Sequence, residues 1–220
     1  EATLTFNFPC TCLLPLSLLY SLERTTRSLS IRTAQADPQD AQPGKIGPNG
    51  MARLLGELKL AEDDRQVLIL AQRMNAETMC EFSWEEWYNG MADMGAVSEA
   101  TLRSRLSCLD QGLRDPAGFE PVYKFAFGYG KRPGQRNLDL DYAIPFWRIL
   151  FKNEYSLLPL WEEFMEKVNK KAVTKDLWNQ MFEFATTVKT DFSDYDEEAS
   201  WPTALDDFVN WAKPRLNKKV

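Results

Sequence analysis

The chain has 220 residues, 44% of them hydrophobic and 12% aromatic, which is enough to bury one substantial core. Its 26 basic and 32 acidic residues give a formal charge of −6, which excludes the basic face on which nucleic-acid affinity rests. Histidine is absent, which removes Ser-His-Asp and Cys-His catalysis and histidine-ligated zinc; the four cysteines, Cys10, Cys12, Cys80 and Cys108, form neither a disulfide framework nor a C-x-x-C pattern, so a reducing intracellular compartment is expected.

The apolar stretch from Phe6 to Leu22 is interrupted by Pro9 and Pro15 and has no positive segment before it, so neither a membrane span nor a secretion signal is expected there. From Thr25 to Asn49 the chain turns to Ser, Thr, Gln, Asp, Pro and Gly, and residues 1–44 are expected to form a disordered tail. A domain is expected over 45–214, followed by a short basic tail over 215–220.

Within the domain the spacing is helical throughout, with no alternating strand run. Met51, Leu54, Leu55 and Leu58 form one stripe, and Val67, Leu70, Ala71 and Met74 form the next, behind acidic Glu62, Asp63 and Asp64. Ser83 and Glu86 make a capping box that opens a helix striped by Trp84, Trp87, Tyr88 and Met91, with Gly95 as its stop. Three stripes follow: Leu102, Leu106, Leu109 and Leu113; Val122, Phe125, Ala126 and Tyr129; Ala143, Phe146, Trp147 and Leu150. Two more run through Leu157–Val168 and through Leu177–Val188 behind the N-cap Thr174, and a last helix follows Pro202 with Leu205, Phe208, Val209 and Ala212. The expected fold is therefore all-α, a compact domain of about nine short helices.

Short paired helices invite a test for calcium-binding loops. A loop starting at Asp139 needs Gly sixth and Glu twelfth but has Ile144 and Leu150, and one starting at Asp194 has Ala199 and Leu205, so no metal and no cofactor are expected. The segment Asp191 to Asp207 carries seven carboxylates and no basic residue. It reads either as a solvated loop or as a docking face for Lys and Arg, with Tyr195 and Trp201 supplying contact area; acid/base catalysis by paired carboxylates is a third reading. Cys80 has no histidine to act as its base and reads as a small apolar residue. The Met-rich and aromatic faces read either as core or as a groove for a peptide.

Several motifs recur together in order: K-I-G-P-N-G-M at Lys45–Met51, T-M-C-E-F-S-W-E-E-W at Thr78–Trp87, Y-K-F-A-F at Tyr123–Phe127, K-D-L-W-N at Lys175–Asn179, and F-S-D-Y-D-E-E-A-S-W-P at Phe192–Pro202. With these motifs the chain resembles the defective-in-cullin-neddylation family over its potentiating-neddylation domain, from about Gly44 to Pro214. The resemblance implies two EF-hand-like units without calcium and no catalytic residue. It implies a scaffold-type accessory ligase that holds the cullin C-terminal winged-helix region and the N-acetylated Nedd8-conjugating enzyme within a cullin-RING ligase complex, in the nucleus or cytoplasm, with no nucleic-acid or membrane partner. The cullin face would fall on Asp176, Ser200 and Asp206. The acetyl-methionine pocket would fall on Met51, Val67, Leu70, Ala71, Met74, Met79, Cys80, Phe82, Trp87, Tyr129, Phe146 and Ile149. Ala199-Ser200 stands where the family shows Gly-Ala, and Gln72 where it often has Trp. Polyubiquitin binding and a myristoyl anchor are not carried over. A helical peptide adaptor without a role in neddylation is the alternative.

Overall fold

A computed structural model describes residues 45–152, 154–167 and 172–216. The expected tail over 1–44, with Cys10 and Cys12, lies outside the described residues, as do Val168 and residues 217–220. Nine helices occur among the described residues: α1 Pro48–Leu58, α2 Arg65–Arg73, α3 Trp84–Asp93, α4 Glu99–Gly112, α5 Pro116–Tyr129, α6 Leu140–Phe151, α7 Leu158–Lys167, α8 Lys175–Thr187 and α9 Thr203–Leu216. No described helix is long and apolar enough to cross a membrane.

Local chemistry sets most of the boundaries. Pro48 and Pro116 stand in the first turns of α1 and α5, where a missing N–H costs nothing. Asp64 Oδ1 accepts from the Gln66 amide at 2.9 Å, Thr174 Oγ1 accepts from Leu177, and Ser83 and Glu86 close the expected capping box. Ser98 and Thr101 build a second box that opens α4. Pro214 does not stop α9, which continues to Leu216.

The helical reading omitted four two-residue strands. β1 (Lys45–Ile46) pairs antiparallel with β2 (Phe82–Ser83), and β3 (Leu138–Asp139) pairs antiparallel with β4 (Ala172–Val173). Two residues are too few to show alternation, so only the fold could reveal these ladders. Each of the four strands leads within a few residues into a helix, and the ladders fix where those helices begin.

The core is aromatic. Trp87, Trp147, Trp161, Trp178 and Tyr123 are fully buried. Tyr123 joins three helices: its hydroxyl donates to the Trp178 carbonyl at 2.9 Å and accepts from Trp147 Nε1 at 2.8 Å, while Trp178 Nε1 donates to the Tyr123 carbonyl at 2.9 Å. Trp147 stacks on Trp178 with centroids 5.2 Å apart and meets Trp161 edge-on at 5.5 Å. Indoles can be buried this completely only when their N–H groups find acceptors or the enclosing contacts offset the loss.

Arg65, at the start of α2, is the one charged side chain in the core among the described residues and only 3% exposed. Its Nε donates to Asp110 of α4 at 2.7 Å, and its Nη1 donates to the Leu150 carbonyl at the end of α6 and to Glu154, both at 3.2 Å. Burial opposes the guanidinium charge, and the bonds to the two carboxylates more than offset it. The Leu150 carbonyl belongs to the last turn of α6, where intrahelical partners run out, so Arg65 caps that helix from another element.

Candidate functional site

The residues expected to form the apolar pocket are contributed by α1, α2, the segment between α2 and β2, β2, α3, the end of α5 and α6. Met51, Leu70, Ala71, Met74, Phe82, Trp87 and Phe146 are buried and form part of the core. Val67, Met79, Tyr129 and Ile149 are half-buried, and Cys80 is exposed. Exposure thus divides the set into seven core residues and five at or near the surface. Direct contacts join two pairs of the set. The Cys80 amide donates to the Tyr129 hydroxyl at 3.2 Å, and Phe82 lies 6.3 Å from Trp87 between ring centroids. Val67 and Ile149 lie close in sequence to Arg65 and Leu150, which one hydrogen bond joins.

Two glycines show how tightly these core residues pack. A Cβ on Gly90 of α3 would lie 2.2 Å from Met74 Sδ and 2.9 Å from Met74 Cα, so α3 can approach the end of α2 only without a side chain there. A Cβ on Gly130 would lie 2.2 Å from Phe146 Cε2. Trp84, expected on the buried stripe of α3, is instead half-buried and packs against Tyr88 at 5.6 Å.

The chemistry around Cys80 is not that of a nucleophile. Although the residue is exposed, desolvation by its neighbours pushes its thiol up, and Glu62 and Glu81 push it in the same direction. Burial also pushes the Tyr129 phenol up to about 12, although the bond from the Cys80 amide opposes the shift. Both groups stay protonated and neutral at physiological pH, which suits an apolar binding surface.

The acidic face lies at the other end of the chain. Asp176 is exposed in the first turn of α8, Ser200 is exposed just before α9, and Asp206 is half-buried in the first turn of α9. A carboxylate at a helix N-terminus is favoured by the backbone dipoles, so two of the three positions have a local structural reason to be acidic. No direct contact links Asp176 to Asp206 among the described residues. Between α8 and α9 the carboxylates of Asp191, Asp194 and Asp196 accept from the amides of Ser193, Lys189 and Glu198 at 2.9–3.0 Å and shape the loop. The bond from the Ser193 amide holds the Asp191 carboxyl below its usual range.

The fold also supplies cations that the linear segment lacks. Lys213 of α9 pairs with Glu197 at 3.2 Å and lies 5.7 Å over the Tyr195 ring, while Lys189 reaches Asp194 at 3.9 Å. The negative field is therefore smaller than a count of seven carboxylates suggests. Sequence reasoning took Tyr195 as contact area only and missed that its hydroxyl donates to Asp206. It missed Lys213 because helical spacing, not sequence adjacency, brings that side chain back to the loop.

Comparison with known proteins identifies the family. A family model described as cullin binding matches residues 101–211, a span that contains Asp176, Ser200 and Asp206. "Defective in cullin neddylation protein 1" of Caenorhabditis elegans is 36% identical over 203 residues, covering 82% of this chain and 69% of the relative. "DCN1-like protein 4" of Danio rerio is 34% identical, covering 77% of this chain and 61% of the relative, and "DCN1-like protein 5" of Homo sapiens is 32% identical with coverages of 77% and 72%. The chain thus spans between about three fifths and about seven tenths of the length of these relatives. With a matching family model over half of its length and relatives above 30% identity, this chain belongs to the cullin-binding family of DCN1-like, defective-in-cullin-neddylation proteins.

Proposed function

We propose that this protein is a non-catalytic scaffold for cullin neddylation, binding a cullin and the N-acetylated Nedd8-conjugating enzyme at the same time. The cullin C-terminal winged-helix region docks on the acidic face through Asp176, Ser200 and Asp206. The acetylated methionine of the conjugating enzyme enters the apolar site behind Val67, Met79, Cys80, Tyr129 and Ile149. The observation that carries this reading is the cullin-binding family match, which spans the acidic face.

Rate enhancement then comes from proximity, with the conjugating enzyme's thioester and the cullin lysine held together at high effective concentration. Acetylation matters for a physical reason. A free amino terminus entering an apolar site loses hydration at a cost on the order of several kcal/mol, while burying the methionine side chain returns about 1.5–3 kcal/mol. Removing the charge removes the cost and leaves the gain. In the same reading, the two ladder-joined halves are EF-hand-like units without calcium, and the protein acts inside the cell with no nucleic-acid or membrane partner.

The test is a calorimetric titration with an N-acetylated peptide from the N-terminus of the conjugating enzyme and with its unacetylated twin. Binding of the acetylated form alone is expected; equal or absent binding of both overturns the pocket assignment. In a reconstituted neddylation assay Asp206→Lys should abolish stimulation while helicity stays normal. Unchanged stimulation by Asp206→Lys would overturn the assignment of Asp206 to the cullin face, whereas absence of stimulation by the wild-type chain would leave a helical peptide adaptor whose acidic face serves another partner.

A further inference from the structure

The carboxylate at the centre of the acidic face is held in place by a neutral donor. Asp206 Oδ1 accepts a hydrogen bond from the hydroxyl of Tyr195, eleven residues earlier in the chain. Oδ2 accepts no hydrogen bond among the described residues, which leaves it for an incoming cation. The tyrosine is fixed in turn. Its ring stacks against Trp201 with centroids 6.4 Å apart and planes 21° apart, and it meets Phe184 of α8 edge-on at 5.9 Å. Phe184 is buried and also touches Trp201 at 5.7 Å and Phe208 of α9 at 6.2 Å, so the ring rests on the core. Over the ring, the Lys213 ammonium is tied to Glu197.

A hydroxyl differs from a basic side chain in what it leaves behind. Lys or Arg at position 195 would fix Asp206 but neutralise it, and a partner's cation would then have to displace an internal ion pair. A phenol fixes the carboxylate and leaves its full charge. Hydrogen bonds from a neutral donor to an ionised acceptor are also about twice as strong as neutral ones, so the arrangement is best made when Asp206 carries its charge. Ordering a side chain before the partner arrives lowers the entropy lost on docking.

We propose that Tyr195 is the positioning residue of the cullin-docking face, fixing the charged Asp206 carboxylate so that a lysine or arginine of the partner meets an ordered acceptor. This rests on the assignment of Asp206 to the cullin face made above. Tyr195 belongs to the loop before α9 and Asp206 to the helix, so their bond also ties the loop's acidic residues to the helix that carries the docking charge.

The experiment is a double-mutant cycle on the whole chain, titrated with a cullin C-terminal region: wild type, Tyr195→Phe, Asp206→Asn and the double variant. Tyr195→Phe keeps the ring contacts and removes only the hydroxyl. It should weaken binding on the order of tenfold in the wild-type background, the size of one charge-assisted bond, and should cost nothing further once Asp206 is Asn. An equal loss in both backgrounds would show a merely structural role and overturn the proposal, and wild-type affinity in Tyr195→Phe would do the same. Wild-type affinity in Asp206→Asn would instead overturn the assignment of Asp206 to the cullin face, and with it the proposal. Should Tyr195→Phe unfold early in a thermal scan, the cycle is repeated with Tyr195→Trp, which keeps a large ring but cannot place a hydroxyl on Asp206; the same absence of a further loss with Asn at position 206 is required.

Discussion

Replacing Arg65 with methionine should destabilise the domain by about 2 kcal/mol, and the environment of each lost bond shows where that figure comes from. The Leu150 carbonyl at the end of α6 has no backbone partner among the described residues, and leaving it buried and unpaired costs about 1–3 kcal/mol. The two carboxylates contribute less. Glu154 is 57% exposed and rehydrates freely, while Asp110 keeps Lys152 at 3.7 Å, so their combined loss is about 1 kcal/mol or less. The methionine side chain fills part of the space and returns about 0.5–1 kcal/mol. For a domain of this size the midpoint should fall by about 4–8 °C, read by thermal scans at low and at 1 M salt. Because the main cost is a buried carbonyl, salt should change the difference little. Arg65→Lys, which keeps the charge but loses the planar fork, should fall between the two. A midpoint within about 1 °C of wild type, or a difference that disappears in 1 M salt, would refute the capping argument.

Gly130→Ala should force Phe146 out of its position at the candidate pocket, costing about 1–3 kcal/mol of stability and weakening the acetylated peptide in the same calorimetric titration. Tyr123→Phe should orphan Trp147 Nε1 and cost about 1–3 kcal/mol in urea unfolding, without changing the affinity of the folded protein for a cullin fragment. Lys213→Met should tighten cullin binding a few-fold and steepen its salt dependence, because an internal competitor for the acidic face is removed. The Tyr129 phenol, pushed up to about 12 by burial, keeps its proton in the folded state between pH 10 and 12 while the unfolded chain loses it. Stability should therefore hold up to pH 10 and fall above it, checked by urea midpoints across pH 9–11.5.

Much of the helical order was legible because it is written locally. Ser83 with Glu86, and Thr174 before Leu177, cap helices through residues two or three positions away, and stripes such as Leu177, Trp178 and Met181 state which face is buried. What escaped depends on contacts far apart in the chain. Arg65 meets Asp110, Leu150 and Glu154, and nothing near position 65 distinguishes a buried arginine from a solvated one. The strands Phe82–Ser83 and Ala172–Val173 exist only because their partners arrive from elsewhere. The apolar stripes at Leu70, Ala71 and Met74 marked a buried surface, but periodicity alone could not separate core from surface. That division came from the exposure of Val67, Met79 and Cys80.

The stacked tryptophans make the molecule its own optical instrument. Trp147 contacts both Trp161 and Trp178 in the dry centre, so light absorbed by one can pass to the others, and their emission changes when that centre opens. Trp201 stands apart from this trio, half-buried beside Tyr195 at the acidic loop, where the polarity around its ring depends on whether the face is covered. Emission from the buried trio thus follows the integrity of the fold with no label attached.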